Sequence, residues 1–289
     1  MTLTRDRIIE AVKRTRNLPS VPDLVLRLEE ELRKNHPSVN EITRIIEQDP
    51  SLSLRILSVA NSAFYRRGKE ASSVRQAMVR LGFMEIRRLA VAAVLIDSYK
   101  DFSGSTPQLF WGHSLAVAFA TRAVAECCQA SIDPQAVEAS FTTGLLHDLG
   151  VLVLQMLYPK EYQALVDEMM EEGGDISERE TSAWDIDHGE VGAVLMTRWE
   201  LPAAMCEAVQ YHHFPYRCTG PSKAMTQLVH LADFVCSNQG FGRRTQVLPA
   251  AFDNSAWDAL GLTLDRVPEI IDKVRAEGER SQVFMGAFG

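Results

Sequence analysis

The sequence predicts an all-α protein. In most segments, apolar residues recur at the three- and four-residue spacing of one helix face, as at Ile42, Ile45 and Ile46. No segment alternates apolar and polar residues between the Asn-Gly or Asp-Gly turns that commonly join strands. Several apolar stretches also follow residues that typically cap helices. We therefore expect a bundle of helices and no sheet.

Helix boundaries are readable in the N-terminal part of the chain. Ser38 to Glu41 has the form of a capping box, which predicts a helix that begins there and carries the apolar stripe. This helix stops at Asp49-Pro50, where Asp49 can cap a second helix and Pro50 can occupy its first turn. A further helix begins near Val74 and is interrupted at Gly82.

Helices are also predicted through the remainder of the chain. One carries His113 in its first turn, just before the apolar run that starts at Leu115. A second capping box, Ser177 to Glu180, predicts the start of another helix. A helix that begins after Leu201-Pro202 is expected to end at His212-His213.

A change of composition at Asp101 to Pro107, rich in Ser, Gly and Pro, predicts a linker. Ligand-type residues cluster only after it. We expect an N-terminal helical subdomain at 1–103, a second helical subdomain at 107–240 that carries these residues, and a C-terminal tail with a short helix at 241–289.

Composition and charge narrow the class of protein. The 289 residues carry a net charge of −8, which argues against nucleic acid as the main partner because phosphate neutralisation needs a basic surface. The N-terminus lacks the apolar stretch of a signal peptide, and the longest aliphatic run, Leu89 to Ile96, is too short to cross a bilayer. The five cysteines, an odd number that includes the adjacent pair Cys127-Cys128, predict reduced thiols and no disulfide framework, and without a C-x-x-C pair no thiolate zinc site is expected. We expect a cytoplasmic protein without a membrane partner.

The most informative feature is a set of seven histidines and aspartates on otherwise apolar segments. Imidazole and carboxylate together suit Fe, Mn, Zn or Mg, which commonly activate water or polarise a phosphoryl group. The set consists of His113, His147, Asp148, His188, His212, His213 and Asp233.

Each of these residues also has a simpler interpretation. A single histidine on an apolar helix is more often a core residue bonded to a carbonyl, and a single aspartate such as Asp233 can cap a helix or pair with an arginine. Several separate helices nevertheless carry the set, and metal sites in helical bundles are built from facing helices. His230, one turn before Asp233, is interpreted as a supporting or core residue.

The order of these residues resembles the HD superfamily of metal-dependent phosphohydrolases. The additional histidines are similar to those of its dinuclear branch, which includes the HD-GYP cyclic-di-GMP phosphodiesterases. Other segments, from about Leu18 to about Asp233, narrow the resemblance to the HDOD domain. These segments are Leu18–Pro22, Asp49–Leu52, Ile56–Tyr65, Ser73–Gly82, Asp187-His188, Trp199–Pro202 and Tyr211–His213.

The resemblance implies an HD-like helical bundle with an additional N-terminal helical subdomain. It implies a role in bacterial signal transduction or regulation, without established catalysis. By analogy, one ion would be held by His113, His147, Asp148 and Asp233. Asp148 would bridge to a second ion, completed by His188, His212 and His213. One or two divalent transition metals are expected; Fe or Mn is favoured, with Zn, Ni or Mg as alternatives.

The chain departs from the HD-GYP pattern at several positions. Val151 stands where those enzymes carry a lysine after the HD segment, and Phe214 to Arg217 replaces their Gly-Tyr-Pro segment. Leu109 stands where some relatives carry a carboxylate for a third metal. Hydrolysis of cyclic dinucleotides is therefore not expected, although another phosphoester is not excluded.

Three functions remain open from the sequence. The first is a regulatory module that binds metal, with a nucleotide or a signalling protein as its candidate partner. The second is a metal-dependent phosphohydrolase, and the third is a purely structural interaction domain. The intact ligand set favours the first two over the third.

Overall fold

The computed structural model describes residues 3–15, 22–32, 38–66, 68–99, 107–241 and 252–286. Every regular element in these ranges is a helix, so the all-α prediction is confirmed. Short 3-10 helices lie at Pro215–Arg217 and Leu264–Arg266. In chain order the α-helices are α1 (Arg5–Arg14), α2 (Asp23–Leu32), α3 (Val39–Glu47), α4 (Pro50–Asn61), α5 (Val74–Leu81), α6 (Phe83–Tyr99), α7 (Pro107–Cys127), α8 (Pro134–Leu146), α9 (Leu149–Leu157), α10 (Pro159–Glu172), α11 (Ile176–Trp184), α12 (His188–Arg198), α13 (Ala203–Gln210), α14 (Lys223–Asn238), α15 (Asn254–Ala259) and α16 (Val267–Met285).

The chain forms two compact units. The larger comprises Met1–Leu18 and Phe102–Gly278, and the smaller comprises Pro19–Asp101 and Glu279–Gly289. Residues 16–21, which contain most of the Leu18–Pro22 segment, residues 101–106 of the predicted linker and residues 242–251 lie outside the described residues. The three-part domain division drawn from the sequence stays a prediction.

Helix α1 belongs to the larger unit because it packs on α12. The guanidinium of Arg198 donates to the carbonyl oxygens of Val12 and Thr15, at 3.0 and 2.7 Å. Arg5 pairs with Glu190 at the other end of the contact. These contacts join segments that are far apart in sequence.

The predicted starts of α3 and α4 are confirmed. The Ser38 side chain accepts the backbone N–H of Glu41 at 3.3 Å, and Ile42, Ile45 and Ile46 are buried. Asp49 caps α4 by accepting the N–H groups of residues 51 and 52, and Pro50 is the first residue of that helix. These starts were predictable because a cap depends on residues only a few positions apart.

Two local predictions were wrong. The cap of α11 is Asp175, which accepts the backbone N–H groups of Ser177 and Glu178, so Ser177 lies inside the helix and no capping box begins there. Helix α7 begins at Pro107, which places His113 in its second turn. In both cases the helix starts earlier than the sequence pattern indicated: the α11 cap lies two residues before Ser177, and α7 begins six residues before His113.

The core of the larger unit lies between α7, α14 and the first part of α16. Small and β-branched residues of α7, such as Ala116 and Val124, pack with Leu228 and Ala232 of α14. Ile270 and Val274 of α16 complete this core. Because α7 and α14 pack together, His113 and Asp233 lie on neighbouring helices.

One stretch, Pro134–Leu157, has the length and apolar composition of a helix that could cross a membrane. It comprises α8, α9 and the turn between them, and 78% of its most apolar window is buried inside the protein. Buried core helices of globular proteins often have the same length and composition, so this stretch is weak evidence for a membrane span.

Two glycines allow helices of the larger unit to approach closely. A Cβ on Gly150 would lie 1.9 Å from the carbonyl oxygen of His188, and a Cβ on Gly189 would lie 2.9 Å from that of Val209. Only a residue without a side chain fits such backbone contacts. Gly150 thus sets α9 against the start of α12, and Gly189 sets that start against the end of α13. These contacts gather the segments that carry four of the predicted ligand residues.

Gly150→Ala is expected to lower the free energy of unfolding by about 1–3 kcal/mol, the usual cost of overpacking a core. The added methyl group would overlap the backbone carbonyl of His188, which cannot move aside as a flexible side chain could. Urea unfolding followed by circular dichroism measures the change. Gly220→Ala is the matched control, since its Cβ would meet nothing closer than 3.6 Å. Equal stability of the two variants would contradict the close approach.

Candidate metal centre

The structure brings all seven predicted ligand residues together in the larger unit. Each is at most 6% exposed. They fall into two groups, and within each group one ligand atom per residue lies within 4.8 Å of the others. The first group contains His113, His147 and Asp233, and the second contains Asp148, His188, His212 and His213. Their role as metal ligands stays a prediction.

A break between α8 and α9 aims two of these side chains into one site. His147 ends α8 with helical backbone angles, but Asp148 has φ −93° and ψ 8°, so the helix does not continue through it. The chain resumes as α9, where the N–H of Val151 bonds to the Asp148 carbonyl at 2.9 Å. Neighbouring residues of an uninterrupted helix would diverge by about 100°.

Asp148 lies between the two groups. Its Oδ1 is 3.3 Å from Nε2 of His147 in the first group. The same atom is 3.2 Å from Nε2 of His188 and 3.7 Å from Nε2 of His212 in the second. Its Oδ2 lies 3.9 Å from Nε2 of His113. One carboxylate therefore faces imidazoles of both groups, as a bridging ligand must.

Asp233 completes the first group from α14. Its Oδ1 lies 2.9 Å from Nε2 of His113 and 3.9 Å from Nε2 of His147. Ser237, one turn further along α14, donates its hydroxyl to the same oxygen at 3.1 Å. Asp233 and Asp148 thus both lie within 4 Å of the same ring nitrogens, as the sequence predicted.

Backbone carbonyls hold three of the imidazoles in a fixed orientation. Nδ1 of His147 lies 2.7 Å from the carbonyl oxygen of residue 144, and Nδ1 of His212 lies 2.7 Å from that of residue 209. Nδ1 of His113 lies 3.0 Å from the carbonyl oxygen of Phe241. Since a carbonyl only accepts, each Nδ1 donates its N–H, and Nε2 is the ring nitrogen left to face the site.

A buried glutamate performs the same task for His188. Glu180 of α11 is fully buried, and its Oε2 lies 2.7 Å from Nδ1 of His188. The same oxygen accepts the backbone N–H of His188 at 2.7 Å. The carboxylate therefore fixes both the ring and the first residue of α12. Sequence reasoning missed this role because it assigned Glu180 to a capping box.

Burial and nearby carboxylates act in opposite directions on the pKa of the buried imidazoles. Burial disfavours the charged forms of His147 and His188, but nearby carboxylates outweigh it. Asp148 raises the pKa of His147, and Glu180 with Asp148 raises the pKa of His188 well above its ordinary value. Burial and neighbouring imidazoles lower the pKa of His213 well below its ordinary value. A divalent ion would supply positive charge beside these buried carboxylates.

The donor atoms fit a divalent ion. The buried Nε2 atoms of His147 and His212 have no hydrogen-bond partner among the described residues. Nε2 of His188 and Nε2 of His213 lie only 2.8 Å apart. Two atoms bound to one ion at ~2.1 Å are themselves about 3–4 Å apart, the spacing seen through most of the site. The set could therefore hold a metal ion.

His230 has the supporting role that the sequence indicated. Its Nδ1 lies 2.8 Å from the carbonyl oxygen of His212, and its Nε2 accepts the backbone N–H of Asp253 at 3.2 Å. It is not a member of either ligand group. It therefore ties the His212-His213 segment to the start of α15.

A cleft of about 320 Å³ opens beside the second group. We call it the acidic cleft, because three carboxylates and three aromatic rings line it, together with His213. No Lys or Arg is among the described residues that line it. The carboxylates are Asp175, Glu178 and Asp253, and the rings are Phe214, Tyr216 and Phe252.

Comparison with known proteins assigns the family. Residues 18–215 match the HDOD domain, which is more than half of the chain. The protein therefore belongs to the HDOD family, and the resemblance noted in the sequence is confirmed.

Solved structures share the fold. An HDOD domain protein of unknown function from Geobacter sulfurreducens is 24% identical, covers 95% of this chain and 98% of its own, and has a TM-score of 0.77. A candidate signal transduction protein from Marinobacter aquaeolei is 22% identical, covers 98% of this chain and 65% of its own, and has a TM-score of 0.77. A candidate phosphohydrolase from Shewanella amazonensis is 20% identical, covers 98% of both chains and has a TM-score of 0.74. At these identities the similarity establishes the fold alone.

Two curated relatives also match, and both are uncharacterized proteins. One, from Treponema pallidum, is 24% identical over 197 residues, which are 68% of this chain and 38% of that protein. The other, YuxH from Bacillus subtilis, is 41% identical over 73 residues, which are 25% of this chain and 17% of that protein. The chain thus matches less than half the length of either relative.

Glu180→Ala is expected to weaken metal binding about 10–100-fold, as removal of a carboxylate that orients a ligand histidine commonly does. Glu180→Gln should recover part of the loss, because its amide oxygen can still accept the His188 protons. Titration of metal-stripped protein with Mn²⁺ against a chelating indicator measures the affinity. Glu171→Gln, an exposed change on α10, is the control. Equal affinity in Glu180→Ala and the control would remove Glu180 from the site.

Proposed function

We propose that this protein is a cytoplasmic regulatory module of bacterial signal transduction that holds one or two divalent transition-metal ions. Its HDOD family membership supports the regulatory part of the proposal. The observation that carries the metal part is the pair of ligand groups that share Asp148. His113, His147 and Asp233 would hold one ion, and His188, His212 and His213 the other.

A bound ion would supply positive charge and could activate a water molecule. The protein's own contribution is orientation, since carbonyls and Glu180 fix the imidazoles before any ligand arrives. A nucleotide or a signalling protein that engages the cleft or the ions would then bind a preformed surface. This is the sense in which we propose a binding module.

The surroundings of the centre argue against efficient phosphodiester hydrolysis. Such chemistry needs cations that position the phosphate and stabilise its developing charge. The acidic cleft presents carboxylates instead, and Val151 is an apolar residue in the first turn after Asp148. The guanidinium of Arg217 lies 4.4 Å from the centroid of the Phe214 ring, so it already engages the aromatic rim of the cleft.

The alternative function is a metal-dependent phosphohydrolase that acts on a nucleotide or another phosphoester. One observation favours it: a carboxylate between two ligand groups is the arrangement of two-metal centres, which stabilise both the attacking and the leaving oxygen. Release of p-nitrophenol from bis(p-nitrophenyl) phosphate by the metal-loaded protein would support this alternative.

Asp148→Ala is expected to remove most of the bound metal, because this carboxylate faces imidazoles of both groups. Elemental analysis of protein purified without oxygen and supplied with Fe²⁺ or Mn²⁺ measures the metal per chain. The control is Asp272→Ala, which changes an exposed aspartate of α16. Equal metal content in the two variants would reject Asp148 as a bridging ligand.

The fully metal-loaded protein is expected to release no linear dinucleotide from cyclic di-GMP above the level of Asp148→Ala. The physical reason is that the described residues that line the acidic cleft include no Lys or Arg to stabilise the charge of a reacting phosphodiester. Chromatography of the reaction products provides the measurement. Clear turnover above the Asp148→Ala background would overturn the regulatory proposal in favour of the phosphohydrolase.

A further inference from the structure

The acidic cleft is a built part of the larger unit. Asp175 lines the cleft, is 8% exposed and caps α11, the helix that carries Glu180 to His188. Asp253 also lines it, and its backbone N–H donates to His230, which in turn contacts the carbonyl of residue 212. Both lining residues are thus tied to residues that orient the metal centre.

Capping does not use all the acceptor capacity of these carboxylates. Asp253 caps α15 with Oδ1, which accepts the N–H of Ser255 at 2.8 Å. Its Oδ2 is buried and has no hydrogen-bond partner among the described residues. Glu178 is exposed, and only its backbone contributes to the α11 cap. The cleft therefore offers negative charge and acceptors that the fold itself does not consume.

The aromatic rim of the cleft already engages a cation of the protein. The Arg217 guanidinium lies 4.4 Å from the ring centroid of Phe214 and 5.7 Å from that of Tyr216. Tyr216 is 59% exposed, which leaves much of its ring accessible to a ligand. Aromatic faces attract ammonium and guanidinium groups, and adjacent carboxylates strengthen that preference.

His213 adds a different requirement at the inner end. It lines the cleft and is 6% exposed, and its buried Nδ1 has no hydrogen-bond partner among the described residues. If Nε2 faces a metal ion, Nδ1 carries the ring proton and needs an acceptor. An oxygen atom on a ligand would satisfy it.

From these observations we propose that the acidic cleft binds a small organic cation, an ammonium group joined to a hydroxyl or phosphoryl oxygen that reaches His213 and the metal centre. The ammonium group would lie against the exposed ring of Tyr216, with Glu178 and Asp253 as counter-charges. A volume of about 320 Å³ is suited to a ligand of this size. The oxygen contact rests on the proposed metal-binding function, whereas recognition of the cation does not.

The direct test compares choline with 3,3-dimethylbutan-1-ol, which has the same shape and hydroxyl group but no charge. Calorimetry on the Mn²⁺-loaded full chain should show that choline binds at least about tenfold more tightly. Equal binding of the two, or binding of inorganic phosphate but not of choline, would overturn the proposal. Either result could occur with metal fully bound, so it would leave the metal proposal standing.

Variants locate the binding. Glu178→Gln and Tyr216→Ala should each weaken choline binding by about threefold or more at low salt, because each removes one part of the cation's surroundings. Both side chains are exposed, so the fold should tolerate the changes. Glu171→Gln, which removes an exposed carboxylate away from the lining residues, should bind choline like the wild type. Loss in this control equal to that in Glu178→Gln would mean non-specific attraction and would overturn the proposal.

Phosphocholine separates the two proposals. In the Mn²⁺-loaded protein it should bind more tightly than choline, and this advantage should disappear in metal-stripped wild-type protein, which should still prefer choline to 3,3-dimethylbutan-1-ol. Choline selectivity without any phosphocholine advantage would reject the contact with the metal centre but support the cation site. If the Mn²⁺-loaded wild-type protein does not bind choline, the cation site itself is rejected.

Discussion

Burial of negative charge beside imidazoles is the constraint on which the rest of the larger unit depends. Asp148 and Asp233 are each 4% exposed and Glu180 is fully buried. A carboxylate removed from water is costly unless it is paired or bound to metal. Each of the three carboxylates has at least one imidazole nitrogen within 4 Å, and the imidazoles that face Asp148 and Asp233 are also suitable metal donors. A metal ion bound by these carboxylates and imidazoles would offset the free-energy cost of burying them.

Two features of the helices bring these buried groups together: a break in one helix and the close approach of three helix ends. The break at Asp148 directs two successive side chains inward, which a continuous helix cannot do. Glycine at positions 150 and 189 then lets three helix ends meet at backbone distance. Donors that lie far apart in sequence are thereby brought together: His113, His188 and Asp233 lie on helices, and the other four lie in the turns directly after α8 and α13. Donors held in fixed positions in this way suit a ligand that needs a fixed coordination geometry, such as a metal ion.

Much of this arrangement could be predicted from the sequence, and there is a physical reason why some features could be predicted and others could not. The helices, the caps at Ser38 and Asp49 and the seven candidate ligands follow from local spacing and residue type. Glu180 could not be assigned, because its contact with His188 depends on how α11 packs against α12. Its neighbours also resembled a capping box, so local chemistry offered a competing explanation. The acidic cleft was likewise hidden, since Asp175, Tyr216 and Asp253 meet only in the folded chain.

The claim that these residues form a metal centre is tested most directly by anomalous diffraction from crystals supplied with Mn²⁺ or Fe²⁺ without oxygen. The account predicts a peak about 2.0–2.3 Å from the donor atoms of Asp148, His188, His212 and His213. A second peak, about 3.5–4 Å from the first, would mark an ion held by His113, His147 and Asp233. Metal-saturated crystals with no peak among these seven residues, or with peaks only elsewhere on the protein, would contradict it.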